Sequence, residues 1–281
     1  MKKLLLIGFS FIFLIMGCHN PTQTIAGNNN HFTFPLVEGN YWIYEGSTNG
    51  INQEGDTVFK AIYIDTIYVN GIYSDTNISD TLEIFEIEIR ESADIIINTA
   101  NYTTGHGTSY DYVKNEGDGL YSYGYSNAGA TSIYLSRKNE TIGTFYNNLF
   151  LPPYLQYIQT NDDDIFWDGP VHYIKFPLEM GSSWHYRQLN NPWRMDRLVV
   201  DDDFIIDNGD EIFSTYKIEM LYDKDNDMIW DNDSPEYITY HSEVGMVMQT
   251  VEWSNTLPDD EGITITHKSY FVLKKYNISN P

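Results

Sequence analysis

The amino-acid sequence predicts a mainly β domain of antiparallel sheets, on three observations. Apolar and polar residues alternate with period 2 in long runs, glycine-bearing turn signals fall between the runs, and no segment sustains a helical period over three clear turns. The composition agrees, because 23 Tyr and 15% aromatic residues suit a pleated, half-buried surface. A sandwich and a curved half-barrel both satisfy the pattern, with one domain or two repeat-related halves.

The runs are explicit. Phe85, Ile87 and Ile89 alternate with Glu86, Glu88 and Arg90. Tyr216, Ile218, Met220 and Tyr222 alternate with Lys217, Glu219 and Leu221. Ile263, Ile265, His267, Ser269 and Phe271 take one face while Thr264, Thr266, Lys268, Tyr270 and Val272 take the other. One polar face per run marks antiparallel strands covered on one side. Asn70-Gly71, Glu116-Gly117-Asp118-Gly119, Asn208-Gly209 and Asp260-Glu261-Gly262 read as turns. A short helix is an option over Phe145 to Tyr157, where Pro152-Pro153 interrupts it.

One phrase occurs twice. Residues 34–44 read FPLVEGNYWIY and residues 176–186 read FPLEMGSSWHY, six identities in eleven positions. Pro35 and Pro177 stiffen a turn, Gly39 and Gly181 offer a positive φ, and a strand follows. Trp42 with Tyr44, and Trp184 with Tyr186, then lie two apart on one strand face. Each pair is expected to plug the core at the start of a half, with Phe34 and Phe176 as further structural positions of the phrase. The expected domain spans 34–281, with candidate halves 34–168 and 169–281.

The chain begins MKKLLLIGFSFIFLIMGC. Lys2 and Lys3 precede an apolar run from Leu4 to Met16, too short to span a bilayer and of signal-peptide length. Gly17 then precedes Cys18, the only cysteine. The segment Ile15-Met16-Gly17-Cys18 resembles the lipobox of bacterial lipoproteins, with Met16 a less usual occupant. The resemblance implies cleavage before Cys18, lipid on its thiol and export, so residues 1–17 are read as signal peptide. Residues 18–33, polar and rich in Asn, are read as a flexible tether. A single cysteine leaves no internal disulfide, so the core alone must hold the fold.

The phrase FPLVEGNYWIYEG, its recurrence, and Tyr240-His241-Ser242-Glu243-Val244-Gly245-Met246-Val247 near the end are similar to a group of uncharacterised envelope lipoproteins, many from Bacteroidetes. That likeness implies a β-rich domain, as a curved sheet or half-barrel like those of lipoprotein carriers, and no catalytic residues. His19 after the cysteine lacks the inner-membrane-retaining Asp of enterobacterial lipoproteins, which by analogy favours the outer membrane, facing the periplasm or the surface.

The net charge is −24, and loss of Lys2 and Lys3 deepens it to −26. Such a surface repels phosphate backbones and anionic headgroups, so nucleic acid is excluded as a partner and cations are favoured. Asp223-Lys224-Asp225-Asn226-Asp227-Met228-Ile229-Trp230-Asp231 places carboxylates at positions 1, 3, 5 and 9 of a calcium loop, with the Ile229 carbonyl at position 7. Met228 stands where that loop expects Gly, and Ser234 occupies position 12. Asp201-Asp202-Asp203 with Asp207 and Asp210, and Asp162-Asp163-Asp164 with Asp168, fit no such spacing and read as solvated turns.

No G-x-S-x-G, H-E-x-x-H or phosphate-cradling loop occurs, and the seven His are scattered. The expectation is a lipid-anchored envelope lipoprotein, not an enzyme, whose β domain binds a ligand or serves a structural role. The alternatives are a calcium-assisted carbohydrate-binding module, a carrier of lipid or another apolar ligand, and a hydrolase. The partners considered are the membrane through the anchor, a glycan, an apolar ligand or an envelope protein.

Overall fold

A computed structural model describes residues 33–73, 83–97, 101–129, 133–137, 140–145, 165–188, 194–232, 236–256 and 264–279. Residues 1–32, which hold Cys18 and all of the tether but Thr33, residues 146–157, the acidic run 162–164 and Asp260-Glu261-Gly262 lie outside them, and the side chain of Asp168 is not described.

The period-2 runs become long strands: β1 (Tyr41–Ile51), β2 (Thr57–Tyr73), β3 (Ile84–Ile97), β4 (Asn101–Glu116), β5 (Gly119–Gly129), β6 (Ile133–Arg137), β7 (Glu140–Phe145), β8 (Ile165–Lys175), β9 (Ser183–Gln188), β10 (Arg194–Asp207), β11 (Ile212–Asp223), β12 (Glu236–Ser242), β13 (Gly245–Thr256) and β14 (Thr264–Asn277). Twelve form one antiparallel sheet in the order β8-β5-β4-β3-β2-β1-β14-β13-β12-β11-β10-β9, and β6–β7 make a separate hairpin. The fold is all-β, a nearly closed barrel rather than a sandwich. At its seam the edge strands β8 and β9 approach through side chains: the Trp184 indole donates to the His172 carbonyl at 3.2 Å, and the Tyr173 and Tyr186 rings meet edge-on at 6.4 Å.

Inward positions build one core, with Ile67, Ile87, Ile218, Met195, Val247 and Leu273 among its members. Outward positions carry ion pairs such as Lys268–Glu252 at 2.8 Å and Arg90–Glu88 at 2.6 Å. Apolar inside and charged outside is the reverse of a membrane-spanning barrel. Gly46 lets the Phe271 ring lie directly on β1, where any Cβ would collide with that ring.

The two phrases make turns with the same hydrogen-bond pattern. Gly39, at φ 87°, donates its N–H to Val69 O at 2.9 Å, and Val69 N–H returns to Asn40 O at 2.9 Å. Gly181, at φ 79°, donates to Val199 O at 2.9 Å, and Val199 N–H returns to Ser182 O at 2.9 Å. Each phrase thus ties the turn before its strand to the next strand, β2 or β10. All four aromatics are buried, as expected. Position 168, the end of the first candidate half, lies within β8.

Asn70-Gly71 is not a turn. β2 runs through it, with a bulge between Val69 and Gly71, whose φ of 121° takes up the extra residue. The Asn70 amide donates to Glu86 at 2.9 Å and Glu88 at 3.1 Å on β3, which holds the chain in the sheet. Glu116-Gly117-Asp118-Gly119 and Asn208-Gly209 do join consecutive strands, β4 to β5 and β10 to β11.

Candidate functional site

Period 2 carries polar residues inward as well as apolar ones. On β12, Tyr237, Thr239 and His241 alternate on the inner face, and Gln249 of β13 stands opposite Thr239. On β10, Arg197 points inward opposite Trp184 of β9 and Met220 of β11. Arg197 is 1% exposed and is the only buried Lys or Arg among the described side chains. Its guanidinium lies over the Tyr173 ring at 4.4 Å, the Tyr186 ring at 4.7 Å and the Tyr237 ring at 5.9 Å.

None of the three Arg197 guanidinium nitrogens meets a carboxylate or carbonyl oxygen, and the Tyr173 phenol is the polar group beside them. Neither ring nitrogen of His241 is bonded, nor is Thr239 Oγ1 or Gln249 Oε1. Buried polar atoms are ordinarily paired, and each exception demands a reason. These atoms lie on β10, β12 and β13, strands of one wall in which β11 separates β10 from β12.

The opposite wall is acidic. Asp65 of β2, Glu91 of β3 and Asp111 of β4 are buried on the inner face. Burial pushes the Asp65 carboxyl well above the usual carboxylate range, so it favours its neutral form. The Tyr44 phenol is pushed up by burial first, then by Tyr173 and Asp65, so these groups share one interior. Burial likewise pushes His241 down to about 3, helped by the positive charge of Arg197. His267, stacked on Trp253 at 3.9 Å, is also pushed down to about 3 by burial.

A second constellation lies in the connection after β11. Asp223, Asp225 and Asp227 bring one carboxylate oxygen each within 4.8 Å of one another. Asp223 accepts the N–H groups of Asp227 at 3.1 Å and Met228 at 2.9 Å, and Asp227 accepts that of Ile229 at 2.8 Å. Met228 takes φ 70°, the conformation the missing glycine would supply, and Asn226 takes φ 59°. Asp231 does not join the trio: its carboxylate accepts Lys224 N–H at 2.6 Å and closes the loop from behind. Asp223 pairs with Arg194 in the β10–β11 register, three residues along β10 from Arg197, so this loop sits at the barrel end nearer that arginine.

No family model matches the chain, and no curated protein matches it. Among solved structures, a β-barrel-like protein of a domain of unknown function from Brucella abortus aligns with a TM-score of 0.42 at 9% identity, covering 87% of this chain and 100% of its own. A protein assigned as exported, with a YmcC-like fold, from Bacteroides fragilis aligns at 0.29 and 12% identity, covering 88% and 99%. A protein assigned as a lipoprotein from Parabacteroides distasonis aligns at 0.26 and 12% identity, covering 88% and 98%.

The aromatic residues of the two phrases are buried and packed. Trp42 Nε1 donates to Val244 O at 2.6 Å and Tyr44 OH to Met246 O at 2.7 Å, which joins the first phrase to the Tyr240–Val247 segment. A glycan platform is not on offer from Trp42 or Trp184, both buried, and the half-buried Trp230 ring carries the Arg194 guanidinium at 5.2 Å. His185 bonds Asp196 at 2.9 Å, a His–carboxylate pair of the kind a hydrolase needs, but Arg194 grips both oxygens of that Asp at 3.0 and 2.5 Å. The pair stands on the outer face of β9–β10, where His185 is exposed. Asp201, Asp202 and Asp203 lie exposed or half-exposed along an irregular stretch of β10, as solvated residues do.

Arg197, Thr239, His241, Gln249, Asp65, Glu91 and Asp111 were not singled out by motif. For four of them the signal was there nonetheless: Arg197, Asp65, Glu91 and Gln249 occupy the apolar phase of their strands, as Asp65 does between Tyr63 and Ile67.

Proposed function

We propose that this chain is an envelope lipoprotein, held through lipidated Cys18 and facing away from the cytoplasm on the outer membrane, whose barrel is a non-enzymatic receptacle for a small amphipathic molecule. Sequence supports the anchor, through the Gly17-Cys18 junction and the 16-residue tether, with a root-mean-square reach of about 22 Å. The observation that carries the binding role is the cluster of buried, unbonded polar atoms on β10, β12 and β13. A dry structural core gains nothing from a buried cation and an unsatisfied imidazole, each costing on the order of a kcal/mol or more. A purely apolar lipid carrier does not fit the interior either, because acids, a cation and two histidines share it with the aliphatic residues.

The experiment is native mass spectrometry of the full chain purified from its host. The proposal expects the diacyl-modified Cys18 as N-terminal residue and a co-purifying molecule of a few hundred daltons, released on unfolding. A bare, unmodified chain would remove both parts.

Calcium is a second reading, favoured by the convergence of Asp223, Asp225 and Asp227. Three hard oxygens plus the Ile229 carbonyl supply part of a calcium shell, and weak affinity follows from the absent bidentate acid at position 12. Its role there is to stiffen the loop at the barrel end, not to touch the interior ligand.

A further inference from the structure

The geometry points to Arg197 as the recognition point for the carboxylate of an amphipathic monoacid held inside the barrel beside the β8/β9 seam. This deepens the receptacle reading and rests on it.

A guanidinium is always charged, and a buried charge persists in proteins where a partner of opposite sign meets it. Arg197 is fully buried, and its five N–H donors meet no carboxylate or carbonyl oxygen, only the Tyr173 phenol alongside. Tyr173, Tyr186 and Tyr237 lie against it, and the two nearer rings, at 4.4 and 4.7 Å, belong to the two seam strands. Rings that occupy the faces of a planar cation leave its edge, where paired N–H groups match the two coplanar oxygens of a carboxylate.

The charge inventory selects a monoanion. Arg197 is the only cation on the inner face among the described side chains, while Asp65, Glu91 and Asp111 line the far wall. A phosphate monoester would bring a second negative charge into an interior already rich in acids. Thr239 Oγ1 and the His241 ring nitrogens supply further polar positions beside the headgroup. Trp184, Met195, Leu178 and Met220 supply apolar surface for a hydrocarbon tail. The seam itself is the way in, because β8 and β9 share no backbone ladder among the described residues and can part without breaking one.

The test uses the full lipidated chain in phosphatidylcholine nanodiscs, with octanoate, octanol, acetate, octyl phosphate and inorganic phosphate as probes and the melting temperature as readout. Octanoate at millimolar concentration is expected to raise the wild-type melting temperature by several degrees, with acetate and octanol each giving less than half that rise. Arg197→Met removes the unpaired charge and keeps much of the volume. It is expected to melt at or above the unliganded wild type and to lose the octanoate response, while Arg197→Lys keeps a response weakened at least tenfold. A fall of five degrees or more in unliganded Arg197→Met would make Arg197 a structural clasp of the seam and overturn the proposal. So would an octanoate shift equal in wild type and Arg197→Met, or no octanoate shift at all. Equal shifts from octanol and octanoate, or a larger one from either phosphate probe, would sink the carboxylate while leaving the receptacle reading intact. Failure of Arg197→Met to fold would count as that same structural role and overturn the proposal too.

Discussion

The indole of Trp42 hydrogen-bonds the carbonyl of Val244 at 2.6 Å, across 202 residues of chain. The bond fastens the first repeated phrase to the turn between β12 and β13, next to the strand that carries Thr239 and His241. Removing the donor strands a buried carbonyl. Trp42→Phe is therefore expected to cost about 1–3 kcal/mol in urea unfolding with little change in m-value, and an unaltered midpoint would refute the role assigned to the bond.

Gly46 and Phe271 form a second such relationship. The ring lies where the Cβ of any other residue would stand, and Phe271 is buried with nowhere to retreat. Gly46→Ala should lose about 1–3 kcal/mol by overpacking, and Phe271→Leu in the same chain should recover part of it. Two additive losses in the double variant would show that the ring is not the obstacle.

Acid should destabilise the barrel through its histidines. Burial holds His241 and His267 neutral, each pushed down to about 3 from 6.5. Between those values the unfolded chain binds the additional protons, so stability falls as the pH drops below 6.5, by about 2 kcal/mol per histidine at pH 5. Asp65 acts with the opposite sign: its raised folded pKa stabilises at pH below 3.8 and that contribution fades as the pH rises through the folded value. Replacing His241 by Gln should flatten the decline between pH 7 and 5. An identical decline in the variant would place the acid sensitivity elsewhere.

The strands were legible because period 2 is a local signal: Phe85 to Arg90 and Tyr216 to Tyr222 announce their faces without help from the rest of the chain. The repeat was legible for the same reason, down to the glycines that need positive φ. Closure of the barrel was not, since it depends on β1 pairing with β14, from the opposite end of the chain, and on the consecutive strands β8 and β9 meeting through side chains instead of a hairpin ladder. Asn70-Gly71 misled because the same dipeptide that makes a turn also makes a bulge when neighbouring strands continue on both sides. The acidic loop was half legible: spacing brought out Asp223, Asp225 and Asp227, but only the fold turns Asp231 toward Lys224 N–H. Arg197 escaped because no motif marks a lone cation in an apolar phase.

The calcium loop makes a separate prediction. Millimolar calcium should raise the melting temperature of the full chain, and Asp225→Ala should abolish the rise, while magnesium, which demands tighter octahedral geometry, should do less. A melting curve unmoved by calcium would leave the three carboxylates as a solvated turn.

A high-resolution crystal structure of the chain purified from its own host tests the receptacle most directly. The account predicts non-protein density on the inner face, within hydrogen-bond reach of Arg197 and near Thr239 and His241. An interior filled by side chains alone, with Arg197 bonded to a carboxylate of the chain itself, would contradict it.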